Sequence, residues 1–229
     1  MKIGGLQKVT LIDYPGNVGA TVFTQGCNFR CPYCHNPELV DPGQYGPLIP
    51  EEEVFSFLDK RRGKLDAVTI TGGEPTIQKD LGRFLETLKG MGYLVKVDTN
   101  GSNPDVLDIL INRSLVDYLA MDIKGPLKKY AAITSVNIDT SMIRRSIELI
   151  TSSGIEHEFR TTVVRSQLAP QDLKSVAKLI AKARLYVLQP FVPTKTLDGS
   201  FLSAISYSPS ELSTIRKNLE KDIIRVVIR

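Results

Sequence analysis

The three cysteines of the chain fall in one short segment, Gln25-Gly26-Cys27-Asn28-Phe29-Arg30-Cys31-Pro32-Tyr33-Cys34-His35-Asn36-Pro37. Their spacing is C-x3-C-x2-C. Thiolates are soft ligands suited to iron–sulfur clusters, zinc or copper(I). A cubane cluster has four irons and usually takes four thiolates. Three thiolates on one loop therefore leave one iron without a protein ligand. That iron is a coordination site for a small molecule, which a purely electron-transferring protein would not keep open. Other readings stand beside this one. Cys31-Pro32-Tyr33-Cys34 alone has the C-x-x-C form of a redox dithiol, but Cys27 is then without a role. Cys27, Cys31, Cys34 and His35 are ligand types for zinc, but the adjacent residues 34 and 35 rarely reach one tetrahedral ion. No second ligand pair follows. Inert cysteines are common in cores, though not three in a loop carrying Gly, Asn and Pro.

Four further polar groups could do chemistry. In Gly72-Gly73-Glu74-Pro75 two glycines let a ligand approach the backbone, and the carboxylate can accept hydrogen bonds from an ammonium group. A plain turn is the alternative. Asp98-Thr99-Asn100-Gly101 offers polar groups for ribose hydroxyls, while Asn-Gly is also a strong turn signal. Asp122-Ile123-Lys124 puts an acid and a base two residues apart on one strand face, where they could serve a ligand or pair with each other. Arg160 sits inside Glu158-Phe159-Arg160-Thr161-Thr162-Val163-Val164. A charge in a buried strand is costly unless paired, and a ligand carboxylate or a structural Glu would pair it. His35 lies beside the cysteines as a supporting donor, and His157 reads as structural. Neither histidine looks like a general base.

The elements that must position these groups follow from pattern. Strands are expected over residues 19–25, 66–71, 93–98, 116–123, 157–164 and 185–191, with a last one over 223–228. Helices are expected over 50–62, 79–91, 105–112, 141–153, 170–183 and 209–221, the last opened by Ser208-Pro209-Ser210-Glu211. Strands alternating with helices mean βα units and a parallel sheet. About six units after a long cysteine-bearing loop predict an α/β fold, an incomplete, open TIM-like barrel, because a closed barrel typically needs about 250 residues. A doubly wound sheet is the alternative. Either way the ligand belongs at the carboxyl ends of the strands, and the polar groups above nearly all follow strands. With 229 residues, 42% hydrophobic and 24% charged, the chain reads as one globular domain over 1–229, with the cluster loop at 26–38.

At this point a resemblance appears. Cys27-x3-Cys31-x2-Cys34, with Tyr33 before the last cysteine, resembles the signature of the radical S-adenosylmethionine (SAM) superfamily. The resemblance implies a [4Fe-4S] cluster on Cys27, Cys31 and Cys34 whose open iron is chelated by SAM. It implies reductive cleavage of SAM to a 5′-deoxyadenosyl radical that abstracts a hydrogen atom, with no catalytic residue beyond the cluster and the SAM site. Gly72-Gly73-Glu74-Pro75 resembles the segment that holds the SAM amino group. Asp98-Thr99-Asn100-Gly101 resembles a segment of activating enzymes. By the same resemblance Tyr33, Gly72, Gly73, Glu74, Asp98, Asn100, Asp122, Lys124 and Arg160 are the SAM contacts, with Arg160 suited to the carboxylate. Lys124 touches SAM or a peptide substrate. Oxygens of Asp98, Thr99 and Asp122 could also hold a monovalent cation beside that carboxylate, since oxygen ligands suit hard cations.

Over nearly the whole chain, Gly4-Gly5-Leu6-Gln7-Lys8, Leu11-Ile12-Asp13-Tyr14-Pro15 and Phe23 to Leu39 are similar to the activating proteins of anaerobic ribonucleoside-triphosphate reductase. These are relatives of the pyruvate formate-lyase activating enzymes. That implies a glycyl-radical enzyme as partner and a reduced flavodoxin or ferredoxin as electron donor. No further cysteines are present, so variants with a ferredoxin-like insert are excluded. Leu188-Gln189-Pro190-Phe191-Val192 lacks the histidine that pyruvate formate-lyase activators place nearby, which favours the reductase activator. A pyruvate formate-lyase-type activator, a radical enzyme acting on a small molecule, and a structural zinc or cluster protein are the alternatives.

The bulk numbers narrow the class. A formal net charge of +4 is too diffuse to argue for nucleic acid. No apolar run reaches the roughly 18 residues of a membrane span, and no signal-peptide pattern opens the chain. A cytoplasmic location is expected, where thiols stay reduced.

Overall fold

The computed structural model describes residues 1–229. Strand β1 (Ile3–Thr10) runs antiparallel to β2 (Gly19–Thr24), with Leu6 opposite Val22 and the register shifting on either side of residues 5–7. The sequence pattern does not signal β1. Its residues, IGGLQKVT, carry two glycines and an exposed polar middle, and the apolar run of β2 supplies the ladder that makes it a strand. The cysteine loop leads into a short helix, α1 (Pro37–Val40). Then come α2 (Glu51–Asp59), β3 (Ala67–Gly72), α3 (Leu81–Gly90), β4 (Leu94–Thr99) and α4 (Pro104–Asn112). Three glutamates occupy the first turn of α2, where the helix dipole favours negative charge.

Strands β2, β3 and β4 are parallel and in register. Their side chains alternate between two faces. One face is apolar, with Val22, Ile70 and Val97 side by side and fully buried. The other face sets Thr21, Thr69 and Lys96 in a row, and these too are buried. Leu81, Phe84, Leu85 and Leu88 form the buried stripe of α3. The Tyr93 hydroxyl donates to the Leu58 carbonyl at 2.6 Å, tying α2 to the start of β4.

Strand β5 (Tyr118–Asp122) is followed by α5 (Tyr130–Thr134), α6 (Thr140–Ser152), β6 (Glu156–Val163), α7 (Pro170–Leu179), β7 (Tyr186–Pro190), α8 (Pro209–Leu219) and β8 (Val226–Ile228). Strands β6, β7 and β8 are parallel, with Phe159 beside Tyr186 and Tyr186 beside Val226. Caps fix the helix starts. Asp139 accepts the Ser141 N–H at 2.9 Å. At α8, Ser208 and Glu211 form a reciprocal capping box, as the sequence signature predicts.

Packing groups the chain into two units. The first comprises Met1–Asn28, Asn36–Thr99 and Asp105–Leu119, and the second Phe29–His35, Asn100–Pro104 and Ala120–Arg229. The strand order is the chain order, β1 to β8, in a sheet that is parallel apart from the β1–β2 pair among the pairings above. This is the open α/β arrangement expected, with six strand–helix steps from β2 to α8. Several helices are shorter than their sequence patterns. The helix expected over 50–62 ends at Asp59, and that over 170–183 at Leu179, where single turn-type bonds such as Ala183 N–H to Ile180 O at 2.8 Å replace the helix. The short helices α1 and α5 are too brief to show a period. No helix is long and apolar enough to cross a membrane.

Candidate active site

In the first unit, the ends of β2 and β3 are joined by backbone. The Gly73 N–H donates to the Thr24 carbonyl and the Glu74 N–H to the Gly26 carbonyl, both at 2.8 Å. A Cβ on Gly73 would lie 1.9 Å from the Gly26 oxygen. Gly72 has φ +105° and its Cβ would meet the Thr24 backbone, so neither position admits another residue. The sequence suggests that these glycines open space for a ligand. The structure shows that the space beside Gly73 is filled by the chain itself, at the residue before Cys27.

Glu74 is buried. Its Oε1 accepts from the Thr76 N–H at 3.0 Å, the Thr76 hydroxyl at 2.6 Å and the Thr99 hydroxyl at 2.7 Å. The carboxylate thus ties the turn after β3 to the end of β4. Two residues before the site residue Asp98, Lys96 lies in β4 with a side chain 2% exposed, ion-paired to the Asp98 carboxylate. Its ammonium is 5.9 Å from the Tyr118 ring centroid. Lys96 is absent from the sequence-based site. The signal that singles out Arg160, a charge inside an apolar strand, would have found it.

In the second unit, the segment from Phe29 to His35 is pinned along its length. The Arg30 N–H donates to Thr134 O at 2.8 Å, the Cys34 N–H to Cys31 O at 3.0 Å, and the Asp198 N–H to Pro32 O at 2.9 Å. The Tyr33 ring is buried, 6.4 Å from both Phe191 and Phe201, with its hydroxyl beside the Cys31 thiol. His35 stacks on Phe191 at 5.3 Å, and its Nε2 lies 2.8 Å from the Val192 carbonyl. It thereby ties the cysteine loop to the segment after β7, whereas the sequence suggests a supporting donor at the cluster. His157 is buried with Nδ1 2.9 Å from Ile155 O, the structural role expected of it.

Asp122, Lys124 and Arg160 come together. Arg160 Nε donates to Asp122 Oδ1 at 2.8 Å and Lys124 Nζ to Oδ2 at 3.1 Å. Arg160 thus has a partner in Asp122, while Glu158 pairs with Arg229 at 3.0 Å. Burial alone would raise the Asp122 carboxyl, but Arg160 and then Lys124 hold it far below the ordinary carboxylate range. The Lys124 N–H donates to the buried Tyr130 hydroxyl at 3.2 Å. Asn100 and Gly101 form a turn. Asn100 Oδ1 accepts the Ser102 N–H at 2.9 Å, Gly101 has φ +75°, and the Ser146 hydroxyl donates to Gly101 O at 2.7 Å.

The cysteines are soft-ligand side chains left as free thiols. None is in a disulfide. Burial pushes the Cys31 thiol up, while the nearby Lys124 ammonium draws it partly back. A soft metal displaces that proton and supplies the positive charge a buried thiolate lacks.

Comparison with known proteins completes the picture. The sequence model of the Radical SAM superfamily matches residues 21–180. A Methanocaldococcus jannaschii protein provisionally named a glycyl-radical enzyme activating enzyme is 34% identical over 232 residues, covering 99% of this chain and 95% of the relative. The pyruvate formate-lyase-activating enzyme of Listeria monocytogenes is 31% identical over 148 residues, 59% of each chain. Among solved structures, Streptococcus suis SuiB bound to precursor peptide SuiA aligns with a TM-score of 0.69 at 12% identity. It covers 88% of this chain, which spans about half (46%) of that one, a likeness of fold.

Proposed function

The chain belongs to the radical SAM superfamily and, within it, to the glycyl-radical enzyme activating enzymes, and we propose that it installs the glycyl radical of an anaerobic ribonucleoside-triphosphate reductase. It is an oxidoreductase whose cofactors are a [4Fe-4S] cluster and SAM. When bound, these supply one-electron cleavage of SAM and a 5′-deoxyadenosyl radical that removes a Cα hydrogen from the partner's glycine. The chain's own residues bind, orient and exclude water.

One observation carries the residue assignment. Near Cys31, the part-buried ammonium of Lys124 and guanidinium of Arg160 meet at Asp122, and two convergent cationic donors are what a ligand carboxylate requires. Cys27, Cys31 and Cys34 hold three irons, and Tyr33 walls their loop. Arg160 and Lys124 take the SAM carboxylate, with Asp122 setting their positions. Gly72, Gly73 and Glu74 present backbone and carboxylate acceptors to the SAM amino group. Asp98 and Asn100 serve the ribose hydroxyls. The electron comes from a reduced flavodoxin or ferredoxin, and the reaction takes place in the cytoplasm. The absence of the pyruvate formate-lyase-type histidine around Gln189 to Val192 favours the reductase as partner.

The decisive experiment mixes the anaerobically reconstituted protein, SAM and reductant with a candidate reductase, and in parallel with a pyruvate formate-lyase. The expected result is about four irons per chain and a glycyl-radical paramagnetic resonance signal on the reductase alone. A signal only on the lyase would reassign the partner. A colourless, single-zinc protein would overturn the assignment of these cysteines to the cluster. Replacing any one of Cys27, Cys31 or Cys34 by Ala should abolish SAM cleavage, and retained turnover would contradict that ligand's assignment.

A further inference from the structure

The oxygens of Asp98, Thr99 and Asp122 suit a hard monovalent cation, but the structure gives each of these groups a partner of its own. The Asp98 carboxylate is ion-paired to Lys96. The Thr99 hydroxyl donates to Glu74. Both oxygens of Asp122 are engaged, one by Arg160 and one by Lys124.

Lys96 is unusual among these partners. It is one of the largest fully buried side chains of the molecule. Its stem lies between β3 and Tyr118, in register with Thr69. The Thr69 hydroxyl makes no hydrogen bond, so it takes no share of the ammonium, whose charge is directed at Asp98. A buried lysine is expensive unless its charge is used. The period of two along a strand puts Lys96 and Asp98 on one face, so the pair is built by the backbone and needs no binding equilibrium to form.

We propose that Lys96 is the resident monovalent cation of this chain: a positioning residue that pairs with Asp98 and aims it, so that SAM binding requires no alkali metal. This rests on the assignment of Asp98 to the SAM site. A covalently tethered ammonium carries the same charge as potassium, cannot dissociate and is indifferent to which salt surrounds it.

The test uses the reconstituted protein at about 0.1 M ionic strength, with tetramethylammonium, sodium or potassium as the only monovalent cation. Wild-type SAM affinity should agree among the three media to within about twofold, which is well inside the tenfold that 1.4 kcal/mol represents. Lys96→Met should bind SAM about tenfold more weakly in tetramethylammonium, with most of that loss restored by potassium or sodium. Wild-type protein that loses about tenfold in affinity without alkali metal, or a Lys96→Met variant that matches wild type in every medium, would overturn the proposal.

A second readout stands apart from SAM. The thermal midpoint of the cluster-free protein should be insensitive to the alkali cation in wild type and raised by potassium or sodium in Lys96→Met. A potassium-dependent rise in wild type contradicts the inference. If Lys96→Met does not fold, the wild-type arms decide alone. If no SAM binds in any medium, the SAM site is wrong, while the melting comparison still judges the cation.

Discussion

Asp98 at the end of β4 and Asp122 at the end of β5 solve the same problem in different ways. Each is a carboxylate at a strand end with a lysine two residues away, before it in β4 and after it in β5. Asp98 meets the buried ammonium of Lys96, its neighbour within one strand. Asp122 meets the part-buried ammonium of Lys124 and the guanidinium of Arg160, which comes from a different strand. A pair built within one strand serves to hold a carboxylate in place. Two cations converging from separate segments suit an anion. The proposed roles follow this difference, hydroxyl recognition at the first strand end and carboxylate recognition at the second.

The largest effect should come from breaking the more deeply buried pair. Asp98→Ala strands the Lys96 ammonium, 2% exposed, and should lower unfolding free energy by about 3–5 kcal/mol, read from denaturant unfolding of the cluster-free protein. Asp122→Ala leaves two part-buried cations without their shared carboxylate and should cost less, about 1–3 kcal/mol. Equal costs would erase the distinction between the two sites. Arg160→Gln removes the guanidinium and keeps the Lys124–Asp122 pair. SAM affinity should fall about tenfold, equivalent to ~1.4 kcal/mol, with a smaller loss of stability than in Asp122→Ala. Unchanged SAM binding would move the carboxylate contact elsewhere.

The smallest effect is in pH. Arg160 and Lys124 depress the folded-state pKa of Asp122 below its unfolded value, which is about 3.9. Its contribution to stability is therefore present above about pH 4 and lost as pH falls toward the folded-state value. Asp122→Asn should flatten the acid limb of the stability profile, and an unchanged slope would show that other carboxylates dominate it.

The fold and the cysteine loop were largely legible in the sequence, because strand–helix alternation and cysteine spacing are local patterns. Two features were not. Strand β1 exists only through its partner, and nothing in IGGLQKVT favours a strand over a loop. Lys96 stands inside the apolar run Leu94-Val95-Lys96-Val97, which marks it as unusual, but its ion pair with Asp98 and its place near the Tyr118 ring show only in the fold. The roles of Asn100 and His35 also waited on geometry. Asn-Gly patterns announce a turn and a ligand site equally well, and only the Ser102 and Val192 contacts show what these side chains do inside the fold.

The contact of Gly73 with the Gly26 carbonyl has a consequence for anyone rebuilding this protein. The start of the cysteine loop and the Gly-Gly turn are far apart in sequence yet form one mechanical part. A cysteine loop transplanted from a relative would arrive without its seat, and a new turn grafted after β3 would push the loop away. Chimeras that exchange both segments together should keep their cysteine geometry, and chimeras that exchange one should not.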